Sequence, residues 1–286
     1  MQGGAGPGAP GSVGRFTADT SVTPLGSSAF EATVRRRWWV GRGPNGGYLA
    51  ALMLRALTEK VGDSARAPRS LTVHFLAVPE EGPVRIECAV ERKGRSLSTL
   101  SARMLQGERV LALGLAAFSA PWPGTEYADT PMPDVRAPED LGRVEAGAGL
   151  PEFVANFDMR FAIGPRPFSG AGPALTGGWL RLAEPEPVDP MAVTAYMDAW
   201  VPAVFAYTSA PVGAPTIDFT VHFRAALPRP DAAPEDFHLA RFSSSVAAEG
   251  FWEEDGELWS RNGTLLAQSR QLALVLPPRD SAPASG

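Results

Sequence analysis

The chain contains a single cysteine, Cys88, so no disulfide can close within it. It has only three histidines, and none is spaced with another ligand as a zinc site requires. Positive charge is scarce too: 26 Lys and Arg stand against 31 Asp and Glu, a net charge of −5. That balance removes the basic stripe expected of a nucleic-acid binder. No apolar run is long enough to span a bilayer, and MQGGAGPGAPGSVGRF lacks the basic and apolar regions of a signal peptide, so a cytoplasmic location is expected. There is no G-x-S-x-G nucleophile elbow, and the Gly-rich stretch Gly41 to Gly47 lacks the Lys-Ser/Thr of a phosphate loop. Hydrophobic residues are plentiful, at 44%, enough for a sizeable core.

Within the chain one pattern occurs twice. Ser70 to Ala77 reads SLTVHFLA, and Asp218 to Ala225 reads DFTVHFRA. Their histidines, His74 and His222, are 222 − 74 = 148 residues apart, about half of the 286. The flanks agree as a true repeat demands. Before the first copy, Leu49, Leu52, Met53, Ala56 and Leu57 fall at helical spacing, with Gly62 as a stop. Before the second, Asp189 can cap a helix and Pro190 suits its first turn. Val193, Met197, Trp200, Val201 and Val204 follow on one stripe, which Pro202 kinks or ends.

After each copy come three strand-like runs: 84–92, 97–106 and 109–118 in the first half, 237–244, 249–259 and 264–276 in the second. Each half also opens on a strand candidate, at 28–37 and 157–163, the latter leading to 177–183. The pattern is therefore α+β: two units, each a long antiparallel sheet with one helix against it. The expected division is a tail at 1–14, a first unit at 15–120, a linker at 121–152, a second unit at 153–277 and a tail at 278–286. Cys88, in an alternating run, reads as a small buried strand residue. His74 and His222 read as packed strand histidines rather than bases.

A resemblance joins this pattern. Trp39 to Ala51 (WVGRGPNGGYLAA), the two TVHF segments, Thr216 to Asp218 (TID) and Leu266 to Gln271 (LAQSRQ) resemble the acyl-CoA thioesterase II type, over roughly residues 15–277. The resemblance implies a tandem double hotdog fold, each sheet wrapped around a central helix. It also implies hydrolysis of acyl-CoA to a free carboxylic acid and CoA, with no cofactor and no metal. In that family an Asp, a Ser or Thr, and a Gln of the second module hold the hydrolytic water. Carried over, these fall on Asp218, on the serines 243–245 with Ser244 selected by ungapped counting, and on Gln271.

On that reading Asp218 is the general base and Ser244 and Gln271 orient the water. Asn45, Gly46 and Gly47 would supply helix N-terminal N–H groups to the oxyanion, since glycine lets a ligand approach the backbone. Each residue has a plainer reading as well. Asp218 could be a strand-end carboxylate, Ser244 a turn residue, Gln271 the polar side of a strand, and Asn45 only a helix cap. Arg35, Arg36, Arg37 and Arg42 could meet CoA phosphates or form a solvated strand end. Two rival functions stay open: a non-catalytic hotdog that binds acyl groups, and a hotdog enoyl-CoA hydratase or dehydratase. The expected partner is acyl-CoA, and a homodimer or higher oligomer is left open. Ser70 stands where Asp218 stands, so a single site per chain would belong to the second half.

Overall fold

A computed structural model describes residues 13–145, 147 and 150–276. Residues 1–12 of the expected first tail, and all of the expected last tail at 278–286, lie outside the described residues.

The first half contains a short helix α1 (Arg15–Asp19), strand β1 (Ala29–Val34), helix α2 (Gly46–Val61), and strands β2 (Ala67–Phe75), β3 (Gly82–Lys93), β4 (Leu97–Gln106) and β5 (Arg109–Ser119). The second contains β6 (Phe157–Ile163), β7 (Leu175–Leu182), helix α3 (Pro190–Tyr196), and strands β8 (Thr216–Phe223), β9 (His238–Ser243), β10 (Phe251–Trp259) and β11 (Leu265–Leu274). All pairings in the main sheet are antiparallel. Its order is β1-β3-β4-β5-β2-β8-β11-β10-β9-β7-β6, with two-residue pieces at 23–24 and 247–248 completing 13 strands.

The two halves join where the repeated segments meet. β2 and β8 pair with Thr72 opposite Thr220, Val73 opposite Phe219 and Leu71 opposite Val221. The sheet therefore continues from one module to the other around an approximate twofold axis beside that threonine pair.

Alternation sets the faces. Leu71 and Val73 of β2, and Phe219, Val221 and Phe223 of β8, point inward to the core, with their neighbours outside. His74 and His222 are exposed on the outer face, so neither is the packed histidine expected. Cys88 is buried, and burial pushes its thiol up to about 12, as an inert core residue requires.

α2 starts where Asn45 caps it, its side chain accepting from the Tyr48 N–H at 2.9 Å. It ends at Gly62, which takes the left-handed conformation with φ 59°. Tyr48 fixes its entry: the ring stacks on Trp38 at 4.7 Å and the hydroxyl donates to the Thr33 carbonyl at 3.0 Å. Every residue from Gly47 to Leu54 is buried, so α2 is wrapped rather than striped. The sheet covers one side and α3 the other.

α3 is capped by Asp189, which accepts from Ala192 N–H at 2.8 Å, with Pro190 in its first turn. It stops at Tyr196, before Pro202. Arg55 of α2 reaches the α3 cap Asp189 at 3.0 Å, while the start of α2 meets the end of α3. The two helices therefore run antiparallel. The described residues of the 121–152 stretch hold little regular structure, and Met132, Val135 and Leu141 pack on the outer side of the second module. There Trp179 and Trp259 donate their indole N–H groups to the carbonyls of Arg136 and Thr130. Among the described residues no helix is long and apolar enough to cross a membrane.

Candidate active site

Asp198 follows α3, and its carboxylate is delivered to the N-terminus of α2. Its Oδ2 accepts from the Gly47 N–H at 2.7 Å and from Asn45 Nδ2 at 2.9 Å. Asn45 Nδ2 also donates to the Asp198 carbonyl at 2.7 Å. Protein surrounds the carboxyl, yet part of its surface stays open to solvent. Burial raises its pKa to about 6, although the N–H of Gly47, the Asn45 amide and the N–H of Gly46 pull the other way. Among the described residues Oδ1 takes no hydrogen bond.

This contact depends on Gly47. A Cβ there would lie 2.8 Å from Asp198 Cβ, 3.1 Å from the Thr194 carbonyl and 3.2 Å from the Ala195 carbonyl. Only a residue without a side chain lets the two helices approach this closely. The Gly47 N–H, expected to face a substrate oxyanion, is instead taken by Asp198.

A second cluster lies on the inner face of β8, β10 and β11. Thr216 Oγ1 donates to Gln271 Oε1 at 2.9 Å, and Gln271 Nε2 donates to Glu254 Oε1 at 2.8 Å. Glu254 Oε2 accepts from the Ala203 N–H at 2.6 Å. Glu254 and Gln271 are both buried. Burial lifts Glu254 to about 8, opposed by the Ala203 and Gln271 N–H groups and reinforced by the negative charges of Asp198 and Glu253. The field of Asp198 at Glu254 links the two clusters as neighbours.

Thr216 reaches this face through a bulge. The β8–β11 register runs Asp218 to Leu272 and then Thr216 to Ala273, leaving Ile217 unpaired. In an unbroken ladder Thr216 would share the outer face with Asp218. The extra residue turns it inward, beside Gln271.

The expected residues are therefore divided. Gln271 and Asn45, Gly46 and Gly47 belong to these clusters. Asp218 does not: it pairs with exposed Leu272 and with His74, on the opposite side of the sheet from Gln271. Ser244 lies beyond the end of β9, with β10 between it and the strand of Gln271, and its N–H donates to the Ala174 carbonyl at 3.0 Å. Arg36 and Arg37 turn to Glu152 and Asp19, at 3.4 and 3.6 Å. Asp198, Thr216 and Glu254 were not expected from the sequence. The available signal for Asp198 was an acid inside the apolar stripe of the second helix region. A surface cleft of about 200 Å³, lined by Arg229, Asp231, His238 and Arg261 among others, includes none of these residues.

Register also shows what the first module has at the same places. Thr216, Gln271 and Glu254 correspond across the twofold to Pro68, Ala116 and Leu100. None of these can hold a water.

Comparison with known proteins settles the family. Residues 34–119 match the acyl-CoA thioesterase N-terminal domain and residues 129–275 the C-terminal domain. The chain belongs to the acyl-CoA thioesterase family. It is thus a thioester hydrolase with a double hotdog fold. An acyl-CoA thioesterase 2 of Haemophilus influenzae is 27% identical, covering 80% of this chain and 86% of that protein. An uncharacterised Mycobacterium tuberculosis protein is 25% identical over 91% of this chain and 98% of its own. A hotdog-fold protein of unknown function from Alicyclobacillus acidocaldarius superposes with a TM-score of 0.80 at 29% identity, covering 93% of this chain and all of the other. An acyl-CoA thioesterase II from Mycobacterium marinum shares the fold, with a TM-score of 0.75 at 20% identity over 93% of this chain and 99% of that one.

Proposed function

We propose that this protein hydrolyses acyl-CoA to the carboxylic acid and CoA at one site per chain, using Asp198, Thr216 and Gln271. The observation that carries the reading is the inward-facing hydroxyl and carboxamide of Thr216 and Gln271, joined to Glu254, which feels the charge of the partly open Asp198 carboxylate. Family membership supplies the substrate class.

A thioester carbonyl is reactive, so the protein chiefly needs to position water and accept its proton. Asp198 Oδ2 is occupied by Gly47 and Asn45, which leaves Oδ1 for the water. Thr216 gives its proton to Gln271 Oε1 and keeps its lone pairs for that water. Gln271 keeps a second N–H beyond the one given to Glu254. The water then donates to Asp198 and Thr216 and accepts from Gln271, so its remaining lone pair is free to attack. A C–O bond forms as the C–S bond breaks, and the proton held by Asp198 passes to the departing CoA thiolate. The N-terminal end of α2, held against Asp198, places its partial positive charge beside this chemistry. Asp198 and Thr216, rather than Asp218 and Ser244, take these roles because neither Asp218 nor Ser244 shares a face and a strand neighbour with Gln271.

The test is thiol release from a series of acyl-CoA chain lengths by the unaltered protein and by Asp198→Asn. Turnover of at least one chain length, abolished by the substitution in a folded protein, is the expected result. No turnover at any length, or an unimpaired Asp198→Asn variant, would overturn it.

A further inference from the structure

Glu254 is a buried acid that hydrolysis as described does not use, and the fold does not require it. Leu100 fills the corresponding place in the first module, among the buried Ala102, Met104 and Ala116. A carboxylate there is costly unless its oxygens are satisfied. Both are: Oε1 takes the Gln271 amide at 2.8 Å and Oε2 takes the Ala203 N–H at 2.6 Å.

Capping the turn that starts at Ala203 would account for one oxygen only. The other has a specific effect on Gln271. A carboxamide is nearly symmetric in shape and can present either its oxygen or its nitrogen in a given direction. An ionised carboxylate accepts only, so Nε2 must face Glu254. Oε1 must then face Thr216, whose hydroxyl has to donate to it. The polarity of the whole chain, from Glu254 through Gln271 to Thr216, follows from the charge on one buried acid.

We propose that Glu254 is a positioning residue: its carboxylate fixes the orientation of the Gln271 carboxamide and thereby the direction of the hydrogen bonds offered to the hydrolytic water. This rests on the reading of Gln271 and Thr216 as water-holding groups. When Glu254 takes up a proton, its hydroxyl can donate to the Gln271 oxygen. The carboxamide then turns over, presents Nε2 to Thr216 and reverses the chain. The charged groups that reach Glu254 are Asp198, from the turn after α3, and Glu253 on its own strand, both negative. On β11 its hydrogen-bond partner is the neutral Gln271, which in turn takes the hydroxyl of the neutral Thr216 of β8.

The experiment compares the unaltered protein with Glu254→Gln, which keeps the shape, and Glu254→Leu, which copies the first module. Thiol release is measured from pH 5.5 to 9.5 with the acyl-CoA turned over fastest. Expected is a fall in kcat of about tenfold to a hundredfold with little change in KM, and loss of the upper of two ionisations in the pH profile of kcat. A folded Glu254→Gln or Glu254→Leu protein with unchanged kcat and the same profile overturns the proposal. If in that case Asp198→Asn is inactive, only the role of Glu254 falls. If Asp198→Asn is active, the catalytic reading falls as well.

Discussion

The backbone N–H of Gly47 meets Asp198 Oδ2 at 2.7 Å, so the helix of one module holds the acid that follows the helix of the other. Replacing the acid by an amide keeps an acceptor for Gly47 but removes the base. Asp198→Asn should lower kcat/KM by about 10²- to 10⁴-fold, the range usual for loss of a general base. Asp218→Asn, altered on the outer face, should stay within about twofold of the unaltered rate. Thiol-release kinetics on both variants decides between the two acids.

Gly47→Ala tests the close helix contact. Alanine is the better helix former by about 1 kcal/mol. Here, however, its methyl would press on two carbonyls and on Asp198 Cβ. Overpacking of this kind costs about 1–3 kcal/mol, so the melting temperature should drop and kcat should drop with it. A variant as stable as the parent would show that the helices can part without loss.

The pH dependence of activity follows from the state of Asp198. The acid form cannot accept the proton of water, and burial raises its pKa to about 6. The lower limb of kcat/KM should therefore titrate near 6, with activity falling tenfold per unit well below it. The residual activity of Asp198→Asn should lack that limb.

Stability should move in the opposite direction. Glu254 ionises at about 8 in the folded chain and near its ordinary value of 4.5 when unfolded. Its stabilising contribution is complete below the unfolded value and declines as pH rises towards about 8, by at most about 1.4 kcal/mol per unit. Asp198 adds a smaller loss, complete by about 6. Urea midpoints measured from pH 5 to 9 should fall, and Glu254→Gln should flatten the slope. A midpoint that rises over this range in the parent would contradict the assigned burial cost.

How much of this was legible in the sequence differs between fold and site. The copies of TVHF marked the duplication because the β2–β8 junction imposes the same alternation on both. The helix caps Asn45 and Asp189 and the stop at Gly62 were also legible, since capping depends on nearby residues. The catalytic face was harder to read. Strict alternation from Phe219 puts Thr216 outside with Asp218, and only the bulge at Ile217 reverses it. A bulge leaves no mark in the side-chain pattern. Asp198 was hidden for a different reason: within the apolar stripe of the second helix region it gave no sign of the α2 N-terminus waiting across the module boundary.

The junction itself can be tested. Thr72 Oγ1 and Thr220 Oγ1 lie 2.9 Å apart across the twofold, on partly buried neighbouring strands. Either hydroxyl can donate, so the pair needs no other group to satisfy it. Thr72→Val or Thr220→Val alone leaves one hydroxyl facing a methyl, whereas the double variant places two β-branched apolar residues opposite each other. Cross-strand pairs of this kind contribute about 0.2–1 kcal/mol. The double variant should therefore be more stable than the sum of the single losses predicts, with a coupling in that range from a denaturation cycle. Additive losses would mean that the hydroxyls contribute nothing to one another, and that the modules are held together by the β2–β8 ladder and the α2–α3 contact alone.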